Sequence, residues 1–165
     1  MRSLTGGNWS ASSGTEAEAA PPDDFIGLAT PNCGRPPLLP PDPVERAQVR
    51  AVAQIMACDI HPVNNLAVLN YLKGPLKHDQ AAVDDWYRHW VTEGFDAIEA
   101  LLRPGPYAFG ANVTMADLCL VPQVFNARRF KVDMGQYSKI ALVDAACLKL
   151  PAFEKARPEN QLDAE

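Results

Sequence analysis

From Asp42 onward, apolar residues recur every three or four positions, and no stretch of any length alternates at period two. That regularity confines the chain to helices packed on one another, because a half-buried strand requires a period of two. Asp42-Pro43-Val44-Glu45 supplies an N-cap, a proline at the first helical position and an acid three residues after the cap. Beyond it Val44, Ala47, Ala51, Ile55, Cys58, Pro62, Leu66 and Leu69 mark one face of a helix reaching about Lys73, where Gly74-Pro75 stops it. Pro62 lies inside the pattern, and its ring and missing N–H predict a kink near Asp59 to His61 rather than an end.

Three further helices follow by the same argument. One runs from Asp79 to Leu102 and buries Val83, Trp86, Tyr87, Trp90, Val91, Gly94, Ile98 and Leu101, with Asp84 and Arg88 paired on its wet face. Gly94 costs that helix about 1 kcal/mol relative to alanine, which the close approach of a neighbouring helix would justify. The next opens on Val113-Thr114-Met115-Ala116-Asp117-Leu118, a capping box with a hydrophobic staple, and continues through an internal Pro122 to Phe130. A fourth covers Lys139 to Lys149, and a short turn covers Pro151 to Arg157. The expected fold class is an all-α bundle of about five helices over residues 42–157, followed by a tail at 158–165.

Residues 1–41 read differently. Eight of the 15 prolines and five of the 10 glycines fall in the first 43 positions, and no helical period survives them. A Pro/Gly/Ser-rich arm without stable structure is expected there. The balance of 15 basic against 20 acidic residues, net −5, argues against nucleic acid and anionic membrane surfaces as partners. No apolar run approaches the ~20 residues needed to cross a bilayer. The N-terminus carries no apolar stretch of the secretory kind. Cysteines at 33, 58, 119 and 147 lack metal-ligand spacing and read as reduced thiols, so a cytoplasmic location is expected and no metal site is assigned.

Two polar motifs interrupt the helical pattern. Ile60-His61-Pro62-Val63-Asn64-Asn65-Leu66 places His61 and Asn65 four residues apart, where they either satisfy the backbone groups freed by the proline or line a small polar ligand site. Asn126-Ala127-Arg128-Arg129-Phe130 puts two arginines at a helix C-terminus, where they complement the macrodipole or form a carboxylate clamp. Trp86, Trp90 and the Tyr87-Arg88-His89 run read as core and rim. The residues alone name no reaction, and none is assigned a catalytic role.

At these same segments the chain resembles the zeta class of glutathione transferases, the maleylacetoacetate and maleylpyruvate isomerases. The matching stretches are PPLLPPDPVERAQVRAVAQIMACDIHPVNNLAVLNYLKG, WYRHWVTEGFDAIEALL, FGANVTMADLCLVPQVFNARRFKVDM and LPAFEKARPENQLDAE, which cover nearly everything from Pro36 onward. The T-x-A-D box is shared across glutathione transferases, whereas DIHPVNNL and LVPQVFNARRF point to the zeta isomerases. The resemblance implies a helical domain that completes the substrate pocket of a thioredoxin-like, glutathione-binding domain carrying a Ser-Ser-Cys motif. It places His61, Asn65, Leu66 and Ala67 beside glutathione and Arg129 at the carboxylate of a small dicarboxylate substrate. Ala67 stands where bacterial relatives usually carry a second arginine and animal relatives a small residue.

Residues 1–35 contain no Ser-Ser-Cys, no βαβ pattern and no Glu-Ser turn. The expectation is therefore the helical half of an isomerase of aromatic amino-acid catabolism, not competent alone. Its implied partners are a thioredoxin-like domain or a second copy. A non-catalytic helical binding module and a general glutathione transferase remain as alternatives.

Overall fold

A computed structural model describes residues 37–161. Six α-helices follow in order: α1 Pro43–Gln54, α2 Leu66–Lys73, α3 Gln80–Leu101, α4 Met115–Arg129, α5 Ser138–Cys147 and α6 Pro151–Lys155. A π-helical turn, Ile55–Ile60, continues α1, and a 3-10 turn, Pro158–Asn160, follows α6. Among the described residues there is no strand, only an isolated bridge between Tyr107 and Gly110. The all-α expectation is met, with one helix more than the sequence pattern suggested.

The caps explain why the helices begin where they do. Asp42 accepts the Glu45 N–H at 2.8 Å, and Asp79 accepts the Ala82 N–H at 2.8 Å. Each carboxylate satisfies a donor that the first helical turn would otherwise leave orphaned. The first expected helix differs from the pattern. Instead of kinking at Pro62 it ends in the π-turn, where the His61 N–H reaches back five residues to the Met56 carbonyl at 2.9 Å. A new helix, α2, then starts under the cap of Asn65, whose Oδ1 accepts the Val68 N–H at 3.0 Å. Proline cannot donate to the helical ladder, and the chain restarts rather than bends.

α4 lies against α1 and α5, while α3 packs on the π-turn, α1, α2 and α5. Val52, Ile60, Val91, Phe95, Leu120 and Ile140 are among the side chains sealed between them. Gly94 is where α3 meets the π-turn. A Cβ there would lie 2.3 Å from Ile60 Cδ1 and 2.5 Å from its Cγ1, so the glycine lets α3 and the turn close on each other. On the first expected helix the marked positions Val44, Ala47, Cys58, Pro62 and Leu66 are exposed, and Val49, Val52, Ala53, Met56 and Ile60 form the buried side. Two further details depart from the sequence reading. Leu101 is 43% exposed and Leu102 takes the buried position, and Arg88 pairs with Asp85 while Asp84 accepts from Gln80.

One buried carboxylate ties three parts of the bundle together. Asp117, fully buried in the first turn of α4, accepts the Ala108 N–H at 2.8 Å, the Thr114 N–H at 2.7 Å and the Thr114 hydroxyl at 2.8 Å. The Cys147 thiol at the end of α5 lies 3.8 Å from its Oδ1. Burial first, then the charge of Asp117 and its hydrogen bond, pushes that thiol up to about 12. Of the expected arm, residues 1–36 lie outside the described residues. Residues 37–41 are packed on the bundle: Leu39 is 9% exposed, and the Leu38 carbonyl accepts the Met115 N–H at 2.8 Å.

Candidate functional site

The turn joining the π-helical segment to α2, with the first two residues of α2, carries four of the five expected site residues, and the turn's own hydrogen bonds fix its shape. The Asn64 N–H donates to the His61 carbonyl at 3.3 Å, and Asn65 Nδ2 donates to the Pro62 carbonyl at 2.6 Å. Asn65 therefore does what local physics asks of it, filling the acceptor left at the break and capping α2 in one side chain. His61, Leu66 and Ala67 are exposed beside it, Leu66 to 72%. Among the described residues the N–H groups of Leu66 and Ala67 find no acceptor, as expected for the first turn of a helix. They leave a short donor-rich ledge at the positive end of α2.

Arg129, the fifth expected residue, ends α4. Its guanidinium lies over the Phe130 ring, 5.8 Å from the centroid, and it is exposed. Among the described residues no carboxylate pairs with it. Its neighbour Arg128 is committed instead, with Nη2 2.7 Å from Asp144 Oδ2 in an ion pair that lacks hydrogen-bond alignment. The two arginines have separate roles: Arg128 neutralises a buried carboxylate of α5, and Arg129 keeps its charge available.

The two parts are joined by α3. Trp86 Nε1 donates to the Val63 carbonyl at 3.0 Å, Asn64 Nδ2 donates to the Tyr87 carbonyl at 3.3 Å, and Arg88 Nη1 donates to the Phe130 carbonyl at 3.3 Å. The Tyr87 and Phe130 rings stack at 3.6 Å with 8° between planes. Burial raises the Tyr87 hydroxyl, against the opposing pull of the Arg129 charge. Sequence reasoning gave no site role to Tyr87, Phe130 or Asn64. The available signal was that Trp86, Tyr87 and Arg88 are consecutive, so they cannot all serve a single helical face.

A separate cavity of about 470 Å³ opens between α4, α5 and α6, walled by Leu118, Val121, Pro122, Phe125, Leu148 and Phe153. None of the five expected site residues lines it. Among the described residues no cluster of histidine, cysteine, aspartate and glutamate could hold a metal, and no helix is long and apolar enough to cross a membrane.

Residues 80–148 match the family model of the glutathione S-transferase C-terminal domain. A solved bacterial structure, the holo form of a zeta-class maleylpyruvate isomerase, superposes with a TM-score of 0.80 at 46% identity, covering 86% of this chain and 68% of that one. The chain belongs to the zeta class of glutathione transferases. The maleylpyruvate isomerase of a Ralstonia species is 50% identical over 133 residues, spanning 78% of this zeta-class chain and 63% of the relative. The maleylacetoacetate isomerase of Anaeromyxobacter dehalogenans, solved with dicarboxyethyl glutathione and citrate in its active site, is 35% identical with a TM-score of 0.78, over 86% of this chain and 63% of that one. The chain thus spans about three fifths of the length of the curated relatives it matches.

Proposed function

We propose that residues 37–161 form the helical half of a glutathione-dependent cis–trans isomerase acting on a small dicarboxylate of the maleylacetoacetate or maleylpyruvate type. Glutathione lies against His61, Asn65, Leu66 and Ala67, and Arg129 receives a substrate carboxylate. The residues fit that cofactor: the unpaired N–H groups of Leu66 and Ala67 and the exposed His61 ring suit a peptide-like anion. When bound, glutathione supplies a thiol whose reversible addition to a cis double bond turns it into a bond free to rotate. This chain's own residues position and neutralise. Arg129 offers a planar, permanently charged fork to a carboxylate, and Asn65 holds the first turn of α2 in place.

The observation that carries the reading is the free guanidinium of Arg129 beside a committed Arg128, on the helix end that α3 ties to the His61–Ala67 turn. None of these residues is assigned to the glutathione thiol. Activation therefore falls to a thioredoxin-like domain, supplied covalently or by another chain, and the described half alone is not competent. The apolar cavity walled by Leu118, Val121 and Phe125 is the surface we assign to docking that domain. Among the described residues the thiols of Cys58, Cys119 and Cys147 are free, which fits a reducing, cytoplasmic setting.

Calorimetric titration tests the reading. Maleate should bind the chain weakly, with binding lost in Arg129→Ala, and glutathione alone should bind weakly or not at all. Maleate affinity unchanged by Arg129→Ala would refute the carboxylate assignment.

A further inference from the structure

Three consecutive residues of α3 hold both walls of the candidate site. Trp86 and Tyr87 grip the turn, through the Val63 carbonyl at 3.0 Å and the Asn64 amide at 3.3 Å. Tyr87 and Arg88 grip the end of α4, through the 3.6 Å stack on Phe130 and the Phe130 carbonyl at 3.3 Å. Tyr87 belongs to both sets. Its backbone serves one wall and its ring the other, so the turn cannot shift against Arg129 without breaking one of these contacts. The residue is 6% exposed, and the face of Phe130 that it covers belongs to the ring over which Arg129 lies. Buried stacked rings are stiff supports, because each has two side-chain torsions and both are fixed by packing.

We propose that Tyr87 is a positioning residue that sets the placement of Arg129 relative to the His61–Ala67 ledge, with Trp86 and Arg88 as its supports. The inference rests on the functional reading above for what is positioned, though the mechanical coupling of the walls can be tested without any ligand. The side-chain contact of Tyr87 with the α4 wall is its ring on Phe130, so the ring, rather than the hydroxyl, is expected to dominate the effect. A site held this way is ordered before ligand arrives, which removes ordering cost from binding.

The test uses the full chain, with nitrogen-15 NMR of the Arg129 Nε–H and the amides of residues 63–68, first without ligand and then titrated with maleate. Phe130→Leu and Tyr87→Leu remove the stack, Arg88→Ala removes a support from a half-exposed position, and Tyr87→Phe keeps the ring. The expected result is that Phe130→Leu, a change on the α4 wall, shifts the amides of residues 63–68 and weakens maleate about tenfold, the share of one charge-assisted hydrogen bond. Tyr87→Phe should stay within about twofold. Should Tyr87→Leu fail to fold, Phe130→Leu and Arg88→Ala carry the same comparison. A fall in melting temperature with the amides of 63–68 unmoved would overturn the proposal. Wild-type chain that ignores maleate while the cross-wall shifts appear would refute the functional reading and leave the coupling supported.

Discussion

Replacing Asp117 with alanine should be among the most damaging single changes in this bundle, and the structure supplies the arithmetic. Its carboxylate is fully buried and takes three hydrogen bonds of 2.7–2.8 Å, from the Ala108 N–H, the Thr114 N–H and the Thr114 hydroxyl. Ala108 is 0% exposed and Thr114 5%, so neither amide can turn to water when the acceptor goes. Each buried donor left unpaired costs about 1–3 kcal/mol. The Thr114 hydroxyl can rotate to another partner and adds little. Removing a buried charge returns part of its desolvation cost, which sets the expected loss at about 3–5 kcal/mol, a large part of a typical total of about 5–15 kcal/mol. That corresponds to a fall in melting temperature of about 10–20 °C. Asp117→Asn keeps one acceptor and turns its amide NH2 toward the second donor, so it should fall between the parent and alanine. Urea denaturation followed by circular dichroism measures both, with the slope checked for constancy. A loss below about 1 kcal/mol for Asp117→Ala would refute the claim that this carboxylate ties α4 to the preceding loop.

Other consequences follow from packing and ionisation. Gly94→Ala should destabilise by up to about 2 kcal/mol in thermal unfolding, because the new methyl meets Ile60 and an overpacking cost of about 1–3 kcal/mol exceeds the ~1 kcal/mol gained in helix propensity. Cys147 and Tyr137 are both pushed up to about 12, mainly by burial, so the unfolded chain ionises first as pH rises. Their contributions are full below the unfolded pKa values and are lost as pH climbs from about 9 toward 12. Cys147→Ala should flatten that decline in pH-dependent denaturation. At pH 8, a thiol reagent should modify exposed Cys58 rapidly while Cys147 reacts only on unfolding.

The parts of the fold legible in the sequence are those fixed by local chemistry. Asp42, Asp79 and Thr114 announce helix starts because each cap contacts an atom within three residues. The break at Pro62 is hidden because Leu66 and Leu69 resume the apolar spacing on its far side. Asn65 was the sign that a new helix begins, and it reads equally well as a helical residue or a cap. The division of labour between Arg128 and Arg129 is set by Asp144, sixteen positions along the chain and carried on another helix. Tyr87 shows the same limit: periodicity marks it as buried, yet its role comes from Asn64 on one side and Phe130 on the other. No spacing rule along a single helix encodes either contact.

The central proposal is that residues 37–161 form the helical half of a glutathione-dependent isomerase. The most direct measurement is turnover of a maleyl substrate in the presence of glutathione, by the purified chain alone and then mixed with a separately produced thioredoxin-like domain of a close relative. Holding reactants together can supply up to about 7–11 kcal/mol of a barrier, and half a pocket forfeits much of it. The account predicts no turnover alone, turnover in the mixture, and loss of that turnover in Arg129→Ala. Sustained isomerisation by the chain alone, or a mixture indifferent to Arg129, would contradict it.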